Sequence, residues 1–166
     1  LLPYEGQPGL SKLLIERIVS GYSQCLSLAI AGAPAHRVFE CYGELRVLCA
    51  HRSGISGVSG INRLIEQQLI KTGQIPAGVS WYPGRPVIIL SNDYRLGLFN
   101  GDMGIALVDP ERPAQLAVYF PQPSGAYRTV WPGRLPAHDT VYAMTVHKSQ
   151  GSEFGRSVLV LPERPS

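Results

Sequence analysis

An apolar strand pattern followed by a glycine-rich loop is the feature that most restricts how this chain folds. "LRVLCA", residues 45–50, is a short apolar run that includes Val and Leu, which is typical of a buried strand. Gly54, Gly57 and Gly60 then predict a loose loop. A helical pattern begins directly after the last of these glycines, and the order strand, loop, helix indicates an α/β domain.

Three helices are predicted in this part of the chain. Ser59 is placed to cap the helix after the loop, and Lys71 and Gly73 mark its end. Its apolar face comprises Ile61, Leu64, Ile65 and Leu69. Two helices precede the strand: residues 10–30 have helical apolar spacing after Ser11, and Pro34 opens a second helix that runs through Tyr42.

The pattern changes after about residue 80, where short strand-like runs replace the helices. "RPVIILSND" and "GDMGIALVD" are separated by turn signals, and "LAVYF" and "YRTVW" follow around "PQPSGA". Several short strands within so few residues predict a small antiparallel barrel, inserted between α/β segments. Asn100-Gly101 is interpreted as a hairpin turn within it.

The stretch "YAMTVHKSQGSEF", residues 142–154, crowds hydrogen-bond donors and one carboxylate around a glycine. We predict a helix from an N-cap at Asp139 to Gly151, with a strand as the alternative. On a helix, Thr145 and Ser149 share one face with Lys148 beside them, which suits a phosphodiester backbone. Glu153 could accept hydrogen bonds from a ribose. A polar helix end with a solvated loop is the competing interpretation, and local chemistry alone favours it.

Composition narrows the class of protein without selecting one. The chain has 166 residues, 45% of them hydrophobic, and a net charge of +3 that is compatible with nucleic acid. We expect no bilayer-spanning run and no secretory signal, and therefore a cytoplasmic protein. The three cysteines lack CxxC spacing, so we expect buried apolar thiols and neither a disulfide framework nor a zinc site.

Three segments resemble a known family. "YAMTVHKSQGSEF" resembles motif V of superfamily 1 DNA helicases in its 5′→3′ branch. "GRPVIILSNDYRLGLFNGDMGIAL", residues 84–107, resembles the segment upstream of that motif, and "LCAHRSGISGVSGINRLIE", residues 48–66, resembles motif IV. Their order and spacing over residues 45–162 are similar to the RecD family, whose members form the alpha subunit of exodeoxyribonuclease V.

The resemblance implies a fold and a division into domains. Residues 1–79 and 138–166 would form the second RecA-like motor domain, discontinuous and truncated. Residues 80–137 would be an inserted SH3-like β-barrel. The chain would then be a C-terminal fragment of an ATP-dependent 5′→3′ DNA helicase that acts in double-strand-break repair and recombination.

The resemblance also assigns site residues. The DNA-binding positions would be Thr145 and His147 from motif V and Asn100 from the inserted block, together with Lys148 and Ser149, which the local chemistry adds. The nucleotide-binding positions would be Gly151, Glu153 and, from motif IV, Arg52.

Cofactors and partners follow from the family in the same way. ATP and Mg²⁺ would be bound mainly by a first motor domain, because this sequence contains no GxxxxGK[ST] phosphate loop and no acidic Mg²⁺ motif. We therefore expect no catalytic residue within residues 1–166 and no ATP hydrolysis by them alone. The expected partners are single-stranded DNA and the beta and gamma subunits of exodeoxyribonuclease V, with no membrane, in the nucleoid-associated cytoplasm. Two alternatives stay open: a stand-alone single-stranded nucleic-acid-binding module, and a subunit-docking module.

Overall fold

The computed structural model describes residues 10–150 and 153–161, which divide into two compact units. The parallel-sheet unit comprises residues 10–24, 40–75, 142–150 and 153–161. The antiparallel-sheet unit comprises Cys25–Phe39 and Pro76–Val141. The described residues form a mixed α/β structure, as predicted from the sequence.

The helices and strands are numbered in chain order. The α-helices are α1 (Lys12–Ile30), α2 (Ala35–Glu44) and α3 (Val58–Lys71). The strands are β1 (Leu45–Cys49), β2 (Pro86–Ile89), β3 (Met103–Asp109), β4 (Arg112–Pro121), β5 (Tyr127–Val130), β6 (His138–Thr140), β7 (Ala143–Thr145) and β8 (Arg156–Val160). Short 3₁₀ helices cover Pro132–Arg134 and Val146–Ser149. The three predicted helices and the strand at residue 45 are confirmed.

The parallel-sheet unit is built on a three-stranded sheet in the order β7-β1-β8. The central strand β1 pairs in parallel with both neighbours, which matches its nearly continuous apolar sequence. Helix α3 contributes Ile61, Leu64, Ile65 and Leu69 to the core, and all four are buried. The predicted apolar face of α3 is therefore correct.

The antiparallel-sheet unit contains five strands in the order β5-β4-β3-β2-β6. Strands β3 and β4 form a hairpin in which Asp109 Oδ1 accepts a hydrogen bond from the Glu111 backbone amide at 2.9 Å. The core of this unit contains Val87, Ile89, Leu98, Ala106, Val118, Phe120 and Val130. The predicted set of short antiparallel strands is confirmed.

The predicted helix from Asp139 to Gly151 is wrong. Residues 138–140 and 143–145 are strands β6 and β7, and a 3₁₀ helix of four residues follows. The strand alternative is correct for this segment. Asp139 caps no helix; its side chain accepts a hydrogen bond from the Thr140 amide.

Helix α1 is long and apolar enough to cross a membrane when judged by length and composition alone. The expectation that no segment reaches that length is therefore wrong for α1. The core helix of a soluble protein meets the same criterion. Ile15, Ile18 and Tyr22 of this helix are buried.

The cysteines differ from their predicted state. Cys25 and Cys41 are disulfide-bonded, so the expectation of buried free thiols is wrong for them. Cys49 is a free, buried thiol at the end of β1, and burial raises its pKa to about 11.

Candidate functional site at the carboxyl edge of the parallel sheet

Two parallel strands end side by side and bring the predicted site residues to one edge of the sheet. Cys49, the last residue of β1, lies opposite Thr145, the last residue of β7. The segments that carry Arg52 and Lys148 leave the sheet directly after these residues. Ligands of open α/β sheets bind at this carboxyl edge, so the topology defines a candidate binding site.

A tight turn follows β7 and determines how its side chains are presented. The Lys148 backbone amide donates to Thr145 Oγ1 at 3.4 Å, and the Ser149 hydroxyl donates to the Val146 carbonyl at 2.6 Å. Thr145 is buried, whereas His147 is exposed. Thr145 and Ser149 therefore do not share a helical face as predicted, and both hydroxyls bond to the turn itself.

The glycine-rich loop after β1 is tight, and the prediction of a loose loop is wrong. A Cβ atom on Gly57 would lie 2.2 Å from the Ser53 carbonyl oxygen, and one on Gly60 would lie 2.4 Å from the Ile55 carbonyl oxygen. Both distances are shorter than real Cβ contacts, so these positions require glycine unless the loop shifts. The loop can therefore fold directly onto the start of α3.

Ser59 anchors this loop, although it does not act as the predicted N-cap. The N-cap of α3 is Gly57, without a side-chain hydrogen bond, and Ser59 lies inside the helix. The backbone amide and hydroxyl of Ser59 both donate to the Arg52 carbonyl, at 3.2 and 3.3 Å. The Val58 amide donates to the His51 carbonyl at 3.0 Å. These bonds fix the backbone at Arg52 and leave its side chain exposed.

Arg52 and Lys148 act on one another electrostatically. Partial burial lowers the pKa of Lys148, and the positive charge of Arg52 lowers it further. Two cations close enough to oppose one another's charge are stabilised by an anion placed between or beside them. The carboxyl edge therefore suits a phosphate group, whether of a nucleotide or of a polynucleotide.

Asn62 is a site-supporting residue that the sequence analysis missed. Its Nδ2 donates to the Ala143 carbonyl at 3.1 Å, and its Oδ1 accepts from the Ala143 amide at 2.9 Å. The buried side-chain amide of Asn62 thus satisfies both backbone groups of Ala143 on the open side of edge strand β7. The available signal was a polar residue next to Ile61 on the buried face of a helix.

Tyr22 supports the same strand from helix α1. Its hydroxyl donates to the Tyr142 carbonyl at 2.5 Å, and the two rings pack with centroids 5.0 Å apart. Burial raises the pKa of Tyr22 to about 12. Together, Asn62 and Tyr22 fix two successive residues at the start of β7.

The remaining predicted positions are distributed as follows. Gly151 lies outside the described residues, and Glu153 is exposed. Phe154 beside it lies over the Arg46 guanidinium, 5.2 Å from the ring centroid. Asn100 belongs to the antiparallel-sheet unit, where its backbone amide donates to Asn92 Oδ1 at 2.9 Å in a turn closed by Gly101 at φ +101°.

Among the residues described, no group of three or more His, Cys, Asp or Glu could hold a metal ion.

Comparison with known proteins identifies the relatives of this chain. No family model matches it. The RecBCD enzyme subunit RecD of Mycolicibacterium smegmatis is 41% identical over 123 residues, which are 74% of this chain and 21% of that protein. RecD of Buchnera aphidicola from Acyrthosiphon pisum is 31% identical over 155 residues, 91% of this chain and 25% of the relative. The ATP-dependent RecD2 DNA helicase of Deinococcus radiodurans is 34% identical over 125 residues, 73% of this chain and 16% of the relative.

These relatives place the chain in the helicase-related class of α/β proteins. Over the region that it shares with them, the chain belongs to the RecD family. It spans about a fifth to a quarter of the length of the RecD subunits named above.

Proposed function

We propose that the chain is the C-terminal motor-domain part of an ATP-dependent 5′→3′ DNA helicase, the alpha subunit of exodeoxyribonuclease V. The observation that carries this proposal is the carboxyl edge of the parallel sheet, where the segments that carry Arg52 and Lys148 leave neighbouring strands. The names of the relatives, RecBCD enzyme subunit RecD and ATP-dependent RecD2 DNA helicase, supply the class of reaction. In this proposal the full protein acts in double-strand-break repair, in the cytoplasm, with the beta and gamma subunits and single-stranded DNA as partners.

The proposed domains correspond closely to the two sheets, apart from strand β6. Residues 1–79 and 138–166 would belong to the second RecA-like motor domain, which contains the parallel sheet. Residues 80–137 would form the SH3-like insert, which contains strands β2 to β5 of the antiparallel sheet; the fifth strand, β6 (His138–Thr140), begins directly after residue 137. Strands β7, β1 and β8 all fall within the first set of residues, whereas β6 of the five-stranded sheet falls within 138–166, in the first three residues beyond the proposed boundary.

The site residues take separate roles in the proposal. Arg52, with Gly151 and Glu153, would contact ATP, and the guanidinium would hold phosphate oxygens. His147 and Lys148 would contact the DNA backbone, and Thr145 and Ser149 would position the turn that presents them. When bound, ATP supplies the free energy of directional movement. The described residues contain no acidic cluster that fits Mg²⁺, so the proposal assigns that ion to the first motor domain.

The roles of the two cations can be tested separately in the full-length parent protein. We expect Arg52→Ala to weaken binding of a fluorescent ATP analogue about tenfold or more, with little effect on single-stranded DNA. We expect Lys148→Ala to weaken DNA binding and to reduce the slope of log K against log salt by about one. Lys71→Ala removes an exposed cation at the end of α3 and serves as the matched control.

The outcomes distinguish this proposal from its alternatives. If neither substitution changes either affinity, the carboxyl edge is not the proposed site. If DNA affinity is the same with and without nucleotide, the chain acts as a passive nucleic-acid-binding module. If DNA binding is absent and association with the partner subunits survives loss of Thr145 and His147, the docking alternative is correct.

A further inference from the structure

Two aromatic side chains are exposed on one loop of the antiparallel-sheet unit. Tyr94 is 79% exposed and Phe99 is 45% exposed. Their rings contact one another edge to face, with centroids 5.8 Å apart. Large aromatic side chains usually provide core or interface area, so an exposed pair in mutual contact is a candidate binding surface.

The loop that carries these rings is held by its own hydrogen bonds. Asp93 Oδ1 accepts from the backbone amides of Arg95 and Leu96, both at 3.0 Å. Asp93 and Leu98 exchange backbone hydrogen bonds of 2.7 and 3.0 Å, and the Leu98 side chain is fully buried. The turn that carries Tyr94 is therefore closed on itself and anchored in the core.

The second half of the loop is closed in the same way. The Phe99 amide donates to Asp102 Oδ2 at 2.8 Å, and the Asn100 amide donates to Asn92 Oδ1 at 2.9 Å. Asn92 Nδ2 also donates to the Tyr94 hydroxyl at 3.5 Å. The carboxylates of Asp93 and Asp102 both bond to the loop backbone, and the exposed side chain between the two rings in sequence is the cation Arg95.

We propose that Tyr94 and Phe99 form a platform on which unpaired bases of single-stranded nucleic acid stack. Along the sequence, exposed Asn92 and Asn100 flank the ring pair, and exposed Arg95 lies between the two rings. An unpaired base offers a flat π-face next to an anionic phosphate, which matches two exposed rings on a loop that also carries the exposed cation Arg95. Docking of an apolar protein surface here would remove Arg95 and the side-chain amides from water without giving them polar partners, which is unfavourable.

This inference deepens the proposed function, on which it rests, and it revises the role of one predicted residue. The Asn100 backbone amide serves the turn. The loop would engage DNA through the neighbouring rings instead. Because every base has a π-face, such a platform would hold a strand without selecting a sequence.

The test compares an ordinary single-stranded oligonucleotide with its abasic counterpart, which keeps the phosphates and lacks the bases. Binding to the full-length parent protein is measured by fluorescence anisotropy. We expect the wild-type protein to bind the abasic strand at least about fivefold more weakly. Tyr94→Ala and Phe99→Ala should each reduce this preference, and Tyr94→Phe should retain it because the ring remains. Val79→Ala, which removes another exposed apolar side chain of the same unit, is the matched control.

Each outcome supports or overturns the proposal. Loss of the base preference in both alanine variants, with unchanged thermal unfolding, supports it. Alanine variants that keep the preference overturn it, as do variants that lose partner-subunit association while still distinguishing the two strands. A wild-type protein that binds the ordinary strand without preferring it over the abasic one overturns this inference alone. A wild-type protein that binds neither strand overturns the proposed function as well.

Discussion

The hydroxyl group of Tyr22 shows how one buried polar atom can position a strand. It donates to the Tyr142 carbonyl, one residue before β7 begins. Because the oxygen atoms are 2.5 Å apart and the ring is fully buried, the bond has no solvent competitor. The same burial makes the ionised form of the side chain unfavourable, which gives the interaction a measurable pH dependence.

We expect alkaline unfolding to report this residue. The pKa of Tyr22 is about 12 in the folded chain, above the ordinary value of 10.0. The unfolded state therefore loses its proton first, so the contribution of Tyr22 is complete below pH 10 and is lost as the pH rises through about 12. Two pKa units correspond to roughly 2–3 kcal/mol in the free energy of unfolding.

Tyr22→Phe should remove this component of the pH dependence. At pH 8 the variant should be about 1–2 kcal/mol less stable, because the Tyr142 carbonyl loses its donor. Between pH 10 and 12 its urea-unfolding free energy should fall less steeply than that of the wild type. Parallel curves for the two proteins would show that Tyr22 ionises as easily in the folded state as in the unfolded state.

At this scale the sequence selects candidate residues but does not predict their local geometry. It selects Thr145, His147, Lys148 and Arg52, and the structure brings the segments that carry them to one edge of the sheet. It predicts that the hydroxyl of Thr145 contacts a ligand, and it does not reveal that this hydroxyl also accepts a hydrogen bond from the backbone of the turn. It misses Asn62 because helical periodicity shows which face is buried but not which backbone group there needs a polar partner.

At the scale of elements, the error over residues 139–151 has a physical cause. Residues 140–145 are all buried, and a short apolar run of that kind is compatible with a helix or a strand. Pairing of Ala143–Thr145 with residues 47–49 decides between the two. That partner is almost a hundred residues away in sequence, so local patterns carry no information about it. The helices are predicted well because their signal is periodic and local.

The closed loop between β1 and α3 gives a prediction that opposes ordinary helix propensity. Alanine usually stabilises a helix relative to glycine by about 1 kcal/mol. At Gly60 the new Cβ would lie 2.4 Å from the Ile55 carbonyl oxygen. We therefore expect Gly60→Ala to destabilise the protein by about 1–3 kcal/mol and to displace the loop that carries Arg52.

Gly43→Ala is the matched control for this substitution. Gly43 lies in helix α2, and a Cβ atom added there would meet nothing within 4 Å, so alanine should stabilise by roughly 0.5–1 kcal/mol. Urea unfolding gives the two free-energy changes, and backbone NMR shifts of residues 50–57 report the loop. Stabilisation by Gly60→Ala equal to that of the control would show that the loop does not press on the helix.

At the scale of the whole molecule, the compact units do not coincide with simple sequence segments. Turn signals reveal the β-rich region, and the proposed insert covers residues 80–137. The compact antiparallel-sheet unit also includes Cys25–Phe39, from the two N-terminal helices. A Cβ on Gly84 would meet Leu26 Cδ2 at 2.8 Å, and Phe39 packs on Tyr127 with ring centroids 5.3 Å apart. Sequence patterns locate an insert by its change of periodicity, but they do not show which helices cover its sheet.

This arrangement predicts that the β-rich segment depends on the helical residues for its stability. Leu26 and Val38 are fully buried, and Phe39 packs on the segment that carries β5. A peptide of residues 76–141 would expose the surface that contacts Leu26 and Phe39, and we expect it to bind a hydrophobic dye and to unfold without a cooperative transition. The 166-residue chain should show a cooperative transition, and Phe39→Ala within it should lower the free energy of unfolding by about 1–2 kcal/mol, because the ring is partly buried. Ile30→Ala, at a side chain that is 59% exposed in the same unit, should cost far less. A cooperative, dye-free fold of residues 76–141 alone would show that the insert is autonomous and that the helices only rest against it.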